Sequence, residues 1–188
     1  MPTYIAFAAD GNVDMFASDI KYYRLIQGWD AMKGKDFEII NAHEKSSAIR
    51  AWSSEETIKR TLRDRMNKSK RMLLLVGETT KSDDDFVPYE IEYAIDSCKI
   101  PIIVCYVKER RRIITDPAAP TAAELENWIP KSLKNRMDNG TAKTIHIPFR
   151  ERIIAKALED FNPGRMPSYS FGCYNSNVYD AIYKPGEI

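Results

Sequence analysis

The sequence lacks the short motifs that usually mark a nucleotide or metal site. Its eight glycines form neither a phosphate-binding loop ending in lysine nor the G-x-G-x-x-G fingerprint of dinucleotide-binding folds. The chain has only three cysteines and two histidines, and none of them is spaced like a set of metal ligands. We therefore expect no metal ion and no permanently bound cofactor.

An excess of charge of one sign is also absent. The 28 basic and 27 acidic residues leave a formal net charge of +1, so no global field attracts nucleic acid or an anionic membrane. No apolar run reaches the length of a transmembrane helix, and the first residues lack the pattern of a secretory signal. We expect a cytoplasmic protein with neither a nucleic-acid nor a membrane partner.

The chain does contain a regular alternation of short apolar runs and helical patterns, which is typical of a parallel sheet covered on both faces. It predicts a flavodoxin-like α/β sandwich of three layers, with a five-stranded parallel sheet in the order 2-1-3-4-5. The unbroken run MLLLV at 72–76 should lie at the centre of the sheet. The five runs occupy residues 4–8, 37–42, 72–77, 100–107 and 144–149.

Helices are predicted between these strands. The first should run from a cap at Asp14 to about residue 32, and Ser53 with Glu56 has the spacing of a capping box that opens another. We predict one domain over residues 1–161. The extension over 162–188, rich in Tyr, Gly and Asn, should pack on the outside of that domain without completing its core.

In this strand order the ligand crevice lies outside the carboxyl ends of strands one and three. The loop after strand one contains Asp10, Gly11 and Asn12, and the loop after strand three contains Thr79 and Thr80. We predict that these five residues contact a ligand.

Two familiar uses of this architecture do not fit the loops. A phosphoreceiver needs an aspartate at the end of strand three and a lysine at the end of strand five, where this chain has VGE at 76–78 and PF at 148–149. A flavin site needs a hydroxyl-rich loop after strand one, where this chain has the short acidic segment ADGN at 9–12. Both functions are disfavoured.

A carboxylate occupies the first turn of the helix after strand three. At about 100° per residue, Glu90 lies roughly 75° from the centre of an apolar stripe, and Glu92 lies about 125° away on the far side. Glu90 should therefore flank the core, whereas Glu92 should face water. The spacing leaves open a plain role for Glu90, which complements the positive end of the helix dipole. The stripe consists of Val87, Ile91, Ala94, Ile95 and Cys98.

The block over residues 58–95 carries a resemblance to a known family. It joins a helix beginning IKRTL at 58–62, a strand and loop SKRMLLLVGETT at 69–80, and the element FVPYEI at 86–91. These segments resemble the TIR-like domains, and most closely the compact bacterial TIR-like proteins of Thoeris antiphage systems. The broader pattern extends over about residues 4–149.

The resemblance implies a chemistry. In catalytically active TIR domains the glutamate of the aromatic-Val-x-x-Glu-Ile element is required to cleave the nicotinamide–ribose bond of NAD. Glu90 would then be the catalytic carboxylate, and Phe86 would take the aromatic position in the substrate site. NAD would be a substrate rather than a cofactor, and the protein an NAD glycohydrolase or cyclase. A single carboxylate suits a reaction that passes through an oxocarbenium-like state.

The resemblance also implies partners and leaves two alternatives open. TIR-like sites commonly borrow residues from a neighbouring copy, so we expect self-association or a partner effector protein. Many TIR-like domains are adaptors, and a non-catalytic signalling module is therefore the first alternative. A nucleoside deoxyribosyltransferase-like enzyme, which shares the architecture and uses a glutamate nucleophile, is the second.

The chain departs from the family pattern in having Phe86 where tryptophan is usual, and in the acidic cluster DDD at 83–85.

Overall fold

The computed structural model describes residues 1–8, 19–32, 37–40, 54–83, 86–109, 111–114, 124–125, 127–166 and 168–188. Within these ranges five strands form one parallel sheet in the order β2-β1-β3-β4-β5, which confirms the predicted topology and the central place of β3. The strands are β1 (Thr3–Ala6), β2 (Ile39–Ile40), β3 (Arg71–Val76), β4 (Ile102–Tyr106) and β5 (Thr144–Pro148).

Helices cover both faces of this sheet. A π-helical turn over Tyr93–Ser97 continues the third helix, and a 3-10 turn over Thr80–Ser82 precedes that helix. No helix within the described ranges combines the length and apolar character needed to cross a bilayer. The described α-helices are α1 (Ile20–Asp30), α2 (Glu55–Met66), α3 (Phe86–Glu92), α4 (Lys131–Asp138), α5 (Glu151–Asp160) and α6 (Ser176–Ile182).

Side chains of the central strand alternate between two cores. Met72, Leu74 and Val76 enter a first core covered by α2, α3 and α4. Leu73 and Leu75 enter a second core covered by α1, α5 and α6. All five are fully buried, because helices cover both faces. This double burial explains why the strand is an unbroken apolar run in the sequence.

One of the two predicted helix caps differs in the structure, and the other is not described. The cap predicted at Asp14 lies outside the described residues, and α1 is described from Ile20. The cap of α2 is Ser54 rather than the predicted Ser53, since the Ser54 hydroxyl accepts a hydrogen bond from the Thr57 amide at 3.4 Å. Two adjacent serines offer the same capping chemistry, and sequence spacing alone did not separate them.

The C-terminal extension covers the open edge of β5. The His146 amide donates to the Gly172 carbonyl at 2.7 Å, and His146 forms an isolated parallel bridge with Cys173. The Lys143 ammonium donates to the Ser168 carbonyl at 3.3 Å. Unpaired edge strands invite pairing with other chains, so this segment protects the edge.

The buried His146 ring also contacts the C-terminal extension. Its Nδ1 lies 2.8 Å from the Tyr106 hydroxyl, its Nε2 lies 2.9 Å from Thr144 Oγ1, and the Phe171 ring stacks on it with centroids 4.0 Å apart. The Thr144 hydroxyl donates to the Ser170 carbonyl, so it accepts from Nε2–H, and Nδ1 accepts from Tyr106. A neutral imidazole satisfies every partner, and burial lowers the pKa of His146 to about 3.

The extension also contributes to the second core, so the expectation that it stays outside is wrong. Tyr174, Tyr179 and Tyr183 are each at most 8% exposed and pack into that core. The Tyr179 hydroxyl accepts from the Ile113 amide at 3.3 Å and donates to the Ile113 carbonyl at 3.1 Å. Several tyrosines of this segment are therefore core residues.

Candidate active site

The carboxyl ends of β1 and β3 meet at the predicted ligand crevice. The two strands pair from Thr3↔Arg71 to Ala6↔Leu74. The helix that follows β1 packs on the second core, whereas the helix that follows β3 packs on the first. The chain therefore leaves the two strands toward opposite faces, and ligands of open α/β sheets bind at such a point.

A buried carboxylate, that of Asp19, lies at this crevice at the start of α1. It is 7% exposed, and the Thr80 hydroxyl donates to its Oδ2 at 3.3 Å. The same hydroxyl accepts from the Gly77 amide at 2.8 Å. A β carbon at position 77 would lie 2.2 Å from both carboxylate oxygens of Asp19. Asp19 thus ties the start of α1 to the loop after β3, and Gly77 leaves room for that contact.

Helix α3 follows this loop and buries Glu90 on its inner side. Phe86, Val87 and Ile91 of the same helix are 9%, 1% and 0% exposed, and Glu90 is 7% exposed. The Asp83 carboxylate accepts from the Val87 amide at 3.4 Å, which satisfies one donor of the first turn. Glu90 is therefore buried more deeply than the flanking position that the sequence predicted.

Strand β1 supplies a partner for this carboxylate. The Tyr4 hydroxyl donates to Oε1 of Glu90, and the contact joins side chains that lie 86 residues apart in the sequence. Tyr4 itself is fully buried. A buried carboxylate needs hydrogen-bond donors, and this hydroxyl supplies one. Glu90 is held from the sheet as well as by its own helix.

The helix changes geometry just after Glu92. The Cys98 amide bonds to the carbonyl of Tyr93, five residues earlier, at 3.0 Å, which is the π-helical pattern. Ala94 and Ile95 stay buried, whereas Cys98, predicted on the same stripe, is half-buried. The prediction for Cys98 assumed a regular α-helix, and the wider π-helical turn before Cys98 is not part of that geometry. Such turns are often found at functional sites.

Glu92 faces solvent, as the sequence predicts. Its side chain is 50% exposed and lies 3.4 Å from Arg136 of α4, which also pairs with Asp96 at 2.5 Å. Exposed ion pairs of this kind contribute little to stability. Two glutamates on one helix therefore occupy different environments, and Glu92 is a matched control for Glu90.

Charged side chains surround the same edge of the sheet. Lys108, after β4, pairs with Glu78, after β3. This contact, with a smaller contribution from Lys21, lowers the pKa of the Glu78 carboxyl. Other described cations of the basic run at 108–112 also have acidic neighbours within the chain: Arg111 pairs with Glu109, and Arg112 pairs with Asp180.

The residues predicted at the site differ in how far the structure describes them. Thr79 is half-buried in the loop after β3, whereas Thr80 is fully buried and bonded to that loop. Their roles toward a ligand, and that of Phe86, stay predictions. The three residues predicted after β1, namely Asp10, Gly11 and Asn12, lie outside the described residues.

Sequence reasoning missed two residues, Asp19 and Tyr4. Asp19 directly precedes the apolar positions of α1, and aspartate in that place is a signal for a helix start. Tyr4 lies in a strand predicted to be buried, where a tyrosine hydroxyl needs a hydrogen-bond partner. The sequence thus indicated that the Tyr4 hydroxyl needs a partner, but it did not identify Glu90 as that partner.

Two of the three cysteines have weakly nucleophilic thiols. Burial raises the pKa of the Cys98 thiol and raises that of Cys173 to about 11. Thiols with raised pKa values are weak nucleophiles at neutral pH. Among the described residues no group of three or more His, Cys, Asp or Glu is arranged to hold a metal ion. The reactive groups described at the crevice are the carboxylates.

The chain was compared with models of known protein families. The model described as Thoeris protein ThsB, TIR-like domain, matches residues 4–112. The match covers more than half of the chain and includes Tyr4, Asp19, Gly77 and Glu90. It also includes the whole block over 58–95 that carries the resemblance in the sequence. The parallel sheet, the buried glutamate of α3 and this match agree, and the chain belongs to the TIR-like domain family of the Thoeris antiphage protein ThsB.

Proposed function

We propose that this protein cleaves the bond between nicotinamide and ribose in NAD and releases an ADP-ribose-type product or signal. The supporting observation is Glu90, a carboxylate only 7% exposed on the helix that opens beside the switch-point crevice. Glutamate is almost never buried this deeply unless its carboxylate is paired. In a TIR-like chain, catalysis is a use that fits its position.

One carboxylate is enough for the central step. Nicotinamide leaves C1 of the ribose with the bonding electrons, and the ribose becomes oxocarbenium-like. A carboxylate in a site that excludes water stabilises this positive charge, or captures it covalently. The leaving group departs from a pyridinium as a neutral molecule, so no general acid is required. Water then adds to C1 and loses a proton, which gives ADP-ribose, whereas attack by a group of the same molecule gives a cyclic product.

The substrate contacts of this proposal follow from position. Phe86 begins α3 and would line the nicotinamide end of the site, and the half-buried Thr79 would face it from the loop after β3. Thr80 supports that loop through Gly77. Asp10, Gly11 and Asn12 would complete the site from the loop after β1.

The experiment is direct. Purified protein is incubated with NAD at several protein concentrations, and nicotinamide and the ADP-ribose isomers are separated and quantified. Glu90→Gln keeps the shape and still accepts the Tyr4 hydrogen bond, so it should fold and release no nicotinamide above background. Glu92→Gln removes an exposed carboxylate from the same helix and should retain the parental rate. Parental turnover by Glu90→Gln would refute the assignment.

A non-catalytic signalling module is the second candidate. The observation that favours it is the contact between Tyr4 and Glu90, which gives the carboxylate a use inside the core. This candidate predicts no nicotinamide release by the parent at any protein concentration, together with a marked loss of stability in Glu90→Ala, which removes the acceptor of the Tyr4 hydrogen bond. Assaying 2′-deoxynucleosides beside NAD separates both candidates from a deoxyribosyltransferase.

A further inference from the structure

We propose that Tyr4 is a positioning residue for Glu90 and holds the carboxylate in the orientation that bond cleavage requires. The inference rests on the proposed NAD-cleaving function. The two side chains come from different elements, β1 and α3, and meet where the Tyr4 hydroxyl donates to Oε1 of Glu90. Tyr4 is fully buried, so it acts through Glu90 and does not touch the substrate.

Tyr4 provides a rigid support for this contact. Its backbone is paired on both sides, with Ile40 of β2 and with Met72 of β3. Its ring packs in the first core among fully buried side chains, where close packing restricts rotation. The position of the hydroxyl is therefore set by the sheet.

Glu90 needs such a support because its side chain has three rotatable bonds. Its helix fixes only the backbone, and freezing the remaining torsions has an entropic cost. The bond to Oε1 holds that oxygen in place relative to β1. It therefore limits the directions in which the second oxygen can point.

Orientation matters because the positive charge develops at C1 and the ring oxygen of the ribose. A misplacement of about 1 Å in a reacting group can lower the rate roughly 100-fold. Loss of the Tyr4 hydroxyl should therefore slow the chemical step more than it weakens substrate binding.

The first test separates kcat from KM. Tyr4→Phe removes one oxygen and keeps the ring, and it should lower kcat for nicotinamide release about 10- to 100-fold with KM for NAD changed less than about twofold. Tyr93→Phe is the matched control, because Tyr93 lies on the same helical segment as Glu90 and its hydroxyl donates at 3.1 Å to Asn67, an exposed contact at the end of α2. The Tyr93→Phe protein should keep the parental kcat and KM. A folded Tyr4→Phe protein with parental kcat would overturn the proposal.

The second test does not depend on NAD. The urea midpoint is measured for the parent, Tyr4→Phe, Glu90→Ala and the double variant. If the two side chains are coupled, Tyr4→Phe lowers the midpoint in the parent and lowers it clearly less in the Glu90→Ala background. Equal losses in both backgrounds would overturn the positioning role.

The two tests keep this inference apart from the proposed function. A parent that releases no nicotinamide would refute NAD cleavage, while the urea cycle would still decide whether Tyr4 holds Glu90. If Tyr4→Phe fails to fold alone but folds in the Glu90→Ala background, the buried carboxylate depends on the phenol, which supports coupling. Failure to fold in both backgrounds would count against it.

Discussion

The carboxylate of Asp19 occupies the space that a side chain at Gly77 would fill. A β carbon built on Gly77 would lie 2.2 Å from both oxygens of Asp19, well inside van der Waals contact. Asp19 is 7% exposed at the start of α1, and Gly77 follows β3 directly. The glycine is required here by the close approach of another side chain, and this approach joins the two segments that border the crevice.

Gly77→Ala should therefore destabilise the protein. The added methyl group has to displace a buried carboxylate, and overpacking of this kind costs about 1–3 kcal/mol. For a chain of this size each kcal/mol lowers the melting temperature by roughly 2–4 °C. Thermal melts of the variant and the parent give the measurement.

Gly28→Ala is the matched control for that substitution. Gly28 lies inside α1, and a β carbon there would meet nothing within 4 Å. Replacing an interior helical glycine by alanine should stabilise the protein by about 0.5–1 kcal/mol. Equal changes of the melting temperature in Gly77→Ala and Gly28→Ala would show that the contact between Gly77 and Asp19 does not affect stability.

The buried His146 should make the protein less stable in mild acid. Its pKa is about 3 in the folded protein and near 6.5 when unfolded, so only the unfolded chain takes up the proton between these values. The stabilisation is complete above pH 6.5 and is lost as pH falls toward 3. The free energy of unfolding should decrease by up to about 1.4 kcal/mol per pH unit in this window.

His146→Gln provides the comparison. The glutamine amide can accept from Tyr106 and donate to Thr144 without gaining a proton. Urea unfolding at pH 7, 6 and 5.5 should show a flatter profile for the variant than for the parent. His43 is present in both proteins, so its contribution cancels. Parallel profiles would contradict the assignment of the acid sensitivity to His146.

Tyr179→Phe should loosen the C-terminal extension. The substitution leaves the buried amide and carbonyl of Ile113 without the hydroxyl that now bonds both, at a cost of about 1–3 kcal/mol. Tyr169→Phe removes a hydroxyl from a side chain that is 44% exposed and should change stability by less than about 0.5 kcal/mol. Calorimetry of the two variants measures the difference, and similar melting temperatures would argue against the Ile113 contact.

Turnover per molecule should rise with protein concentration. TIR-like sites commonly take residues from a neighbouring copy, and Glu90 is the one catalytic carboxylate that we propose in this chain. We expect low specific activity in dilute samples and an increase as the protein associates. Nicotinamide release is measured over a wide concentration range, with light scattering to report the assembly state. Full activity in a demonstrably monomeric sample would rule out this dependence.

Much of the fold was predictable because its signals are local. The unbroken apolar run of β3 and the helical patterns around it indicated a parallel sheet with both faces covered, and short segments carried the family resemblance. Glu90 was found the same way, from its place within FVPYEI at 86–91. The helix α6 and the core role of Tyr179 were missed, since a seven-residue helix has too few apolar positions to show a period.

The sequence by itself determined the family and the glutamate to be tested, because each depends on residues close together in the chain, and the alternation of strands and helices predicted the sheet order. Only the tertiary structure decided which side chain contacts that glutamate and which glycine leaves room for a neighbouring carboxylate. Tyr4 and Glu90 lie 86 residues apart, and their contact depends on the packing of α3 over β1. Asp19 and Gly77 meet because adjacent parallel strands end at one edge of the sheet. The strand order predicted that edge, but the side chain that fills the space beside Gly77 depends on how α1 packs.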